Sequence, residues 1–337
     1  MCHQKPLAPS FPVSPPRPPA LSDVARSIGP DGLLRADLID AAVARVEGVL
    51  PATPLVRSER LGAWLKLENL QVTGAYKVRG ALNALMAQVA RGDRRPVLAA
   101  SAGNHGLGVA WAARRLGLAA TIVVPDDAPA TKVRGCRALG ARVLHAGRGF
   151  EDCLAHARVL ARADGARLLH AFDDAEVIAG QATVAAEILH LDPDVVVVPV
   201  GGGGLVAGMA SLLRRRGIRI VGAQVVGVDG LRRALRGDGP LPGPPPATLA
   251  DGLRVTAPGA LPLAIAARSL DDVVLISEDE VAAAVADLVH AERIVVEGAA
   301  AVAAAALARV SGRRRVAVMT GGNIDAPVLA ALLARAA

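Results

Sequence analysis

Aromatic side chains are scarce in this chain of 337 residues: two Trp, one Tyr and three Phe. Few stacking platforms remain for single-stranded nucleic acid, so the net charge of +7 does not point there. The arginines are dispersed. Their densest runs, Arg214–Arg216 and Arg313–Arg315, each precede a predicted strand and are expected on helix ends or loop surface. Cysteine is limited to Cys2, Cys136 and Cys153, without metal or disulfide spacing, and a reduced, cytoplasmic setting is expected. The seven histidines form no ligand pair, so no metal is expected. No apolar run is long enough to span a bilayer, and a charged-then-apolar signal pattern is missing from the start. The sharpest scarcity is lysine. Among 38 basic residues only Lys5, Lys66, Lys77 and Lys132 are lysines, and lysine can lose its proton and attack a carbonyl where arginine cannot.

What is present is apolar and regular. At 52% hydrophobic, the chain has ample material for buried cores, and its length suits two domains or one large one. Residues 1–20 hold seven prolines and no periodic pattern, and are expected to form a disordered tail. From "LLRADLIDAAVARV" onward, short strands alternate with helices: "AWLKLEN", "PVLAAS", "ATIVVP", "ARVLHA", "ARLLHAF", "VVVVPV", "IRIVGAQVV", "DVVLIS" and "RVAVMT" each lead into a helical pattern. Continuous Val/Ile/Leu strands joined through helices predict an α/β fold with parallel sheet covered on both faces.

Three loops follow strands in the same way: "SAGNHG" at 101–106, "GGGG" at 201–204 and "TGGN" at 320–323. Ligands bind beyond the carboxyl ends of strands in open parallel sheets, so the loops are expected to share a site. Gly201–Gly204 lacks side chains and runs into a helix at Leu205, which suits an anion cradled by N–H groups; it lacks the Lys-Ser/Thr of a nucleoside triphosphate loop. Four consecutive glycines exceed what a tight turn needs. Lys77, in "TGAYKVRGALNAL", lies in the first turn of a predicted helix among small residues. Both the positive helix end and desolvation disfavour its ammonium form there. Lys66, alternating within a strand, and Lys132, beside Arg134 on a helix, are expected at the surface. A reactive amine, a phosphate cradle and hydrogen-bonding loops together suit pyridoxal 5′-phosphate.

The ordered set "KLENLQVTGAYKVRGALNAL", "SAGNHGLGVAWAARRLG", "FDDAEVIAGQAT", "VVVPVGGGGLVAG", "TLADGL", "VVEGAAA" and "TGGNID" resembles the fold-type II pyridoxal-phosphate enzymes, in the threonine/serine dehydratase (threonine ammonia-lyase) and serine racemase branch, over roughly residues 22–325. The resemblance implies two open, twisted, mostly parallel sheet domains of the tryptophan synthase β-like kind, with helices on both faces and the cofactor in the cleft between them. The small domain would be 95–174, and the large one would combine 21–94 with 175–337. Lys77 would carry the cofactor covalently and later take the substrate α-proton. Tyr76 would lie along the ring, Asn104 would bond the ring 3′-oxygen, and Gly201, Gly202, Gly203, Gly204 and the Leu205 backbone would hold the phosphate. Thr320 would face the pyridine nitrogen, where serine is commoner in this branch. Ser101, Ala102, Asn104 and His105 would grip the substrate carboxylate. Glu297 matches a family glutamate near the cofactor.

The implied activity is α,β-elimination from an L-β-hydroxy amino acid, threonine first and serine second, giving a 2-oxo acid and ammonia in a cytoplasmic homo-oligomer (a dimer or tetramer). Serine racemase, a dehydratase for 3-hydroxyaspartate, phenylserine or hydroxyectoine-derived substrates, and a non-catalytic pyridoxal-phosphate-binding homologue are the alternatives. Cysteine-synthase-type replacement enzymes usually carry threonine where His105 stands. The racemases bind a divalent cation through acidic residues after the strand at 218–226. Here Gln224 stands where glutamate is usual and Gly230 where aspartate is expected, so a tightly held metal is not expected. Nor is a C-terminal regulatory domain with isoleucine feedback.

Overall fold

The computed structural model describes residues 21–101, 103–128 and 130–336. The expected proline-rich tail, Ala102 and the Lys132 side chain lie outside the described residues. Ten strands occur among them: β1 (Leu55–Ser58), β2 (Ala63–Lys66), β3 (Val97–Ala100), β4 (Ala120–Val124), β5 (Arg142–His145), β6 (Arg167–Leu168), β7 (Val195–Pro199), β8 (Arg219–Val225), β9 (Asp272–Ile276) and β10 (Arg315–Val318). They form two sheets, one of six strands in the order β1-β2-β10-β7-β8-β9 and one of four in the order β5-β4-β3-β6. Every pairing is parallel except β1 with β2. The four strands of the smaller sheet all fall within residues 95–174.

Strand β7 shows why its sequence is an unbroken valine run. Val195 and Val197 point into one core with the alanine-rich helix Gly298–Ala306, and Val196 and Val198 point into another with the helix Gly204–Leu213. Period-two alternation places apolar surface on both faces, so no position is left for a polar residue. Each valine contributes roughly 1.5–3 kcal/mol relative to exposure. The smaller sheet repeats the device. Val97, Ala99 and Ile122 meet the helix Asn104–Leu116 on one face, and Leu98, Ala100 and Val123 meet the helix Phe150–Ala163 on the other.

The helix Lys77–Ala90 joins the two parts. It packs on Asn104–Leu116 and on Ala175–Ala186. Close approach requires small residues: a Cβ on Gly108 would stand 3.0 Å from Val78 N. A Cβ on Gly180 would stand 2.6 Å from Gly80 Cα. No helix among the described residues is long and apolar enough to cross a membrane.

One expectation is overturned here. Lys66 is not a surface lysine: it is 1% exposed. Its Nζ donates to Thr53 O at 2.6 Å and pairs with Glu187. Glu187 also receives Arg79, which is fully buried and forks onto Glu68 at 2.7 and 2.8 Å. Two cations and two carboxylates thus neutralise one another beneath the helix that carries Lys77, and burial is tolerable only with such pairing.

Candidate active site

The loops after β3, β7 and β10 line one cavity of about 830 Å³, together with Tyr76, Lys77, Phe172 and Glu297. Of the residues expected in a site, Lys77, Tyr76, Ser101, Asn104, His105, Gly201, Gly202, Gly203, Gly204, Leu205 and Thr320 all line it.

Lys77 is the first residue of its helix. The turn before it is stitched to the loop after β10: Tyr76 N donates to Thr320 O at 3.1 Å, Gly322 N donates to Gly74 O at 2.9 Å, and Ala75 bridges Gly321. Gly74 sits at φ +71°, and a side chain there would run into Asn323. The Lys77 amine donates to Ala171 O at 3.1 Å and lies 5.2 Å from the centre of the Tyr76 ring. Burial pushes its pKa down to about 8, against the opposing pull of the Glu297 carboxylate. With that pKa about a tenth of the amine is neutral at pH 7, far more than for an ordinary lysine, and the neutral form is the one that attacks a carbonyl. Burial, with Glu297 adding to it, pushes the Tyr76 phenol far above its ordinary range, so that ring stays uncharged.

The glycine loop begins directly beyond β7. Gly203 has φ +90°, and the helix Gly204–Leu213 starts behind it. First-turn N–H groups have no intrahelical acceptor and the helix end is positive, so this is an anion seat. The run of glycines has a second cause that composition does not reveal. A Cβ on Gly202 would collide with the Phe172 ring; one on Gly204 would lie 2.9 Å from Phe172 Cα, and one on Gly201 would lie 3.0 Å from Leu253 Cα. Phe172 and Leu253 fill the space behind the loop.

Asn104, Glu297 and Asn323 form one network. Asn104 Nδ2 donates to Glu297 Oε1 at 2.7 Å, and Asn323 Nδ2 donates to Asn104 Oδ1 at 2.7 Å and to Thr73 O at 2.9 Å. Among the described residues Asn104 Nδ2 has Glu297 as its one acceptor, and its second amide hydrogen suits a ligand oxygen in the cleft. Asn323 was visible only as the end of "TGGN"; its place in the network depends on a contact across 219 residues.

His105 stands in the loop expected to grip a carboxylate. It is 3% exposed, and Nε2 meets the Leu169 carbonyl at 3.1 Å, so the ring proton belongs there. Burial, and then the Lys77 charge, push its pKa down to about 3. Nδ1 is therefore a bare acceptor, without a partner among the described residues. A neutral ring in this tautomer offers no donor to a carboxylate, and what His105 can give an anion is its backbone N–H. The Ser101 hydroxyl accepts from Gly103 N at 3.1 Å and shapes the same loop. Thr320 is nearly buried at the end of β10.

These groups fit pyridoxal phosphate: an amine of lowered pKa, an N–H cradle with no Cβ to obstruct it, and polar side chains between them in one cavity. The comparisons agree. A family model for "pyridoxal-phosphate dependent enzyme" matches residues 46–321. An L-threonine ammonia-lyase of Geobacter sulfurreducens is 38% identical over 318 residues, covering 90% of this chain and 79% of that protein. A solved threonine deaminase from the organism abbreviated T.th. is 34% identical with a TM-score of 0.80, covering 86% of this chain and 98% of that one. Maize serine racemase is 28% identical with a TM-score of 0.82, covering 89% and 97%. This chain belongs to the family of pyridoxal-phosphate dependent enzymes.

Proposed function

We propose that this protein is an L-threonine ammonia-lyase, converting L-threonine, and L-serine less well, to a 2-oxo acid and ammonia. The observation that carries the reading is the Lys77 amine, lowered to about 8, in the same cavity as the Gly201–Gly204 cradle. The relatives named threonine ammonia-lyase and threonine deaminase support the choice of substrate. When bound, pyridoxal phosphate supplies the electron withdrawal that makes the substrate α-C–H acidic. The protein supplies position and proton transfer. Gly201, Gly202, Gly203, Gly204 and the Leu205 N–H would hold the phosphate. Tyr76, Thr320 and Asn104, which line the same cavity, would hold the ring: Tyr76 by its face, Thr320 by a neutral hydroxyl and Asn104 by its amide. The backbone of the 101–105 loop would bind the substrate carboxylate, and the Lys77 amine would be the base for the α-proton.

The same reading includes a division into a small domain, 95–174, and a large one, 21–94 with 175–337. It also includes a homo-oligomer. Leu70, Val72 and Val295 are exposed, and Asn69 donates to Val295 O at 3.0 Å, which brings those two segments together as an apolar patch. The decisive assay measures 2-oxo acid and ammonia across a panel of β-hydroxy amino acids, with Lys77→Ala as control. L-Threonine should give the highest kcat/KM, and the control should lose both turnover and the visible absorbance of attached cofactor. Retained absorbance in Lys77→Ala, after free cofactor is removed, would overturn the assignment.

A further inference from the structure

The place where the racemase resemblance puts a divalent cation is filled by the protein itself. Gln224, on β8, is 1% exposed. Its Nε2 donates to Val200 O at 3.1 Å and to Val228 O at 3.4 Å, and its Oε1 accepts from Arg232 N at 2.9 Å. Both amide hydrogens point at carbonyl oxygens, whereas a hard cation needs oxygens turned toward it and is repelled by an N–H. The second acidic position is closed as well. A Cβ on Gly230 would stand 2.9 Å from Thr256 O and 3.4 Å from Ala257 Cα, so an aspartate cannot enter unless that segment moves. No cluster of three His, Cys, Asp or Glu that could hold a metal occurs among the described residues. The residues present do not fit a cation.

We propose that the Gln224 amide does the work of that cation: it is a positioning residue that fixes the phosphate loop and makes cofactor binding independent of divalent metals. The inference rests on reading Gly201–Gly204 as the phosphate cradle. Val200 immediately precedes that loop, and both of its backbone polar groups are held: its N–H donates to Ala223 O at 2.9 Å and its C=O accepts from Gln224. The bond to Arg232 N anchors the first turn of the helix Gly230–Arg236. On that turn Leu231, fully buried, lies against the loop, with its Cδ1 3.9 Å from where a Gly203 Cβ would stand. One neutral amide therefore ties together the approach to the loop, the turn at 226–229 and the helix beneath Gly203. A cation with carboxylate ligands would tie the same carbonyls, but only while metal is supplied.

The test compares wild type, Gln224→Leu and Gln224→Glu in EDTA and in millimolar Mg²⁺, Ca²⁺ or Mn²⁺. It reads pyridoxal-phosphate affinity by equilibrium dialysis and the thermal unfolding midpoint. Wild type should be the same in every condition. Gln224→Leu should bind cofactor roughly tenfold more weakly whatever the metal, because three hydrogen bonds are lost. Gln224→Glu should be equally weak in EDTA, where a carboxylate confronts two carbonyls, and should recover when a divalent cation is added. EDTA-sensitive affinity or stability in wild type would overturn the proposal, as would an unchanged affinity in either variant in EDTA, or a Gln224→Glu protein that no cation rescues. Wild-type affinity for pyridoxal without phosphate separates the two levels. If it equals that for pyridoxal phosphate, the cradle reading falls and this proposal with it; if phosphate is preferred and Gln224 has no effect, this proposal alone falls.

Discussion

Asn104 Nδ2 and Glu297 Oε1 meet at 2.7 Å, and through that contact a carboxylate is held within electrostatic reach of the Lys77 amine. Burial lowers the Lys77 pKa to about 8, and Glu297 is the charge that opposes the fall. Glu297→Gln keeps an oxygen for Asn104 and removes the charge. The Lys77 pKa should then drop further, leaving the amine neutral over a wider range. The acid limb of cofactor capture by the apoprotein should move to lower pH, as read from the growth of visible absorbance against pH. Movement to higher pH would contradict this account of Glu297.

Gly202 lies against the Phe172 ring with no room for a Cβ. Gly202→Ala should therefore displace the loop and weaken cofactor binding by an overpacking cost of about 1–3 kcal/mol. If the cause is steric, Gly202→Ala with Phe172→Ala should bind more tightly than Gly202→Ala alone. Equilibrium dialysis on folded proteins decides, and no recovery in the double variant would mean that the loop is sensitive for another reason.

Lys66 shares Glu187 with Arg79 in a fully paired cluster. Lys66→Met should leave Thr53 O without its donor and Glu187 short of one cation. Breaking such a pair costs about 3 kcal/mol or more, read as a lower urea midpoint, while the visible absorbance of attached cofactor stays intact. Lys66→Arg, harmless on a surface, should also destabilise because a larger head must be packed at a position that is 1% exposed. A midpoint equal to wild type in both variants would mean that the pair contributes nothing.

The burial of Lys66 shows where sequence reading stops. Its strand has four residues with burial on both faces, too short for alternation to tell inside from outside, and its partner Glu187 lies 121 residues away. Lys77 was legible because its signal is local: small neighbours, a helix start and the scarcity of lysine. The three loops were legible because parallel strands aim their carboxyl ends one way. Strand β1, antiparallel and only four residues long, and the helix Ala260–Ser269, with Pro262 in its first turn, carried too little periodicity to be read. Each motif in the Asn104–Glu297–Asn323 network was visible, but the contacts joining them are tertiary.

A buried histidine, His105, and a half-buried one, His170, set an acid limit on stability. Burial pushes His105 down to about 3 and His170 down to about 4. In the unfolded chain each takes up its proton near pH 6.5. Below that pH the unfolded state binds more protons than the folded state, so stability should fall as pH drops from about 6.5 toward 4, by roughly 1.4 kcal/mol per pH unit for each histidine. Urea unfolding across this range should show the decline, and His105→Gln should make it shallower. An unchanged slope would mean that His105 already titrates normally when folded.

The final prediction separates elimination from racemisation. Inverting the α-carbon requires a proton donor on each face of the cofactor plane, and Lys77 serves only one. The resemblance places a serine hydroxyl of serine racemases at the position of Ala102; that residue lies outside the described ones, but its methyl group can move no proton. His105 is the nearest alternative by sequence. Its one ring proton is committed to Leu169 O, and a pKa of about 3 leaves no second proton to give. The Ser101 hydroxyl is drawn into its own loop by Gly103 N. General acid catalysis depends on reach as well as residue type, and neither group meets both conditions. L-Threonine and L-serine should therefore yield oxo acid and ammonia with little D-isomer. D-Substrates, whose α-proton faces away from Lys77, should react poorly. Ala102→Ser should raise racemisation without abolishing elimination. Chiral chromatography of the L-serine reaction is the measurement: a wild-type protein that forms D-serine faster than pyruvate would be a racemase, and the one-face account of Lys77 would be wrong.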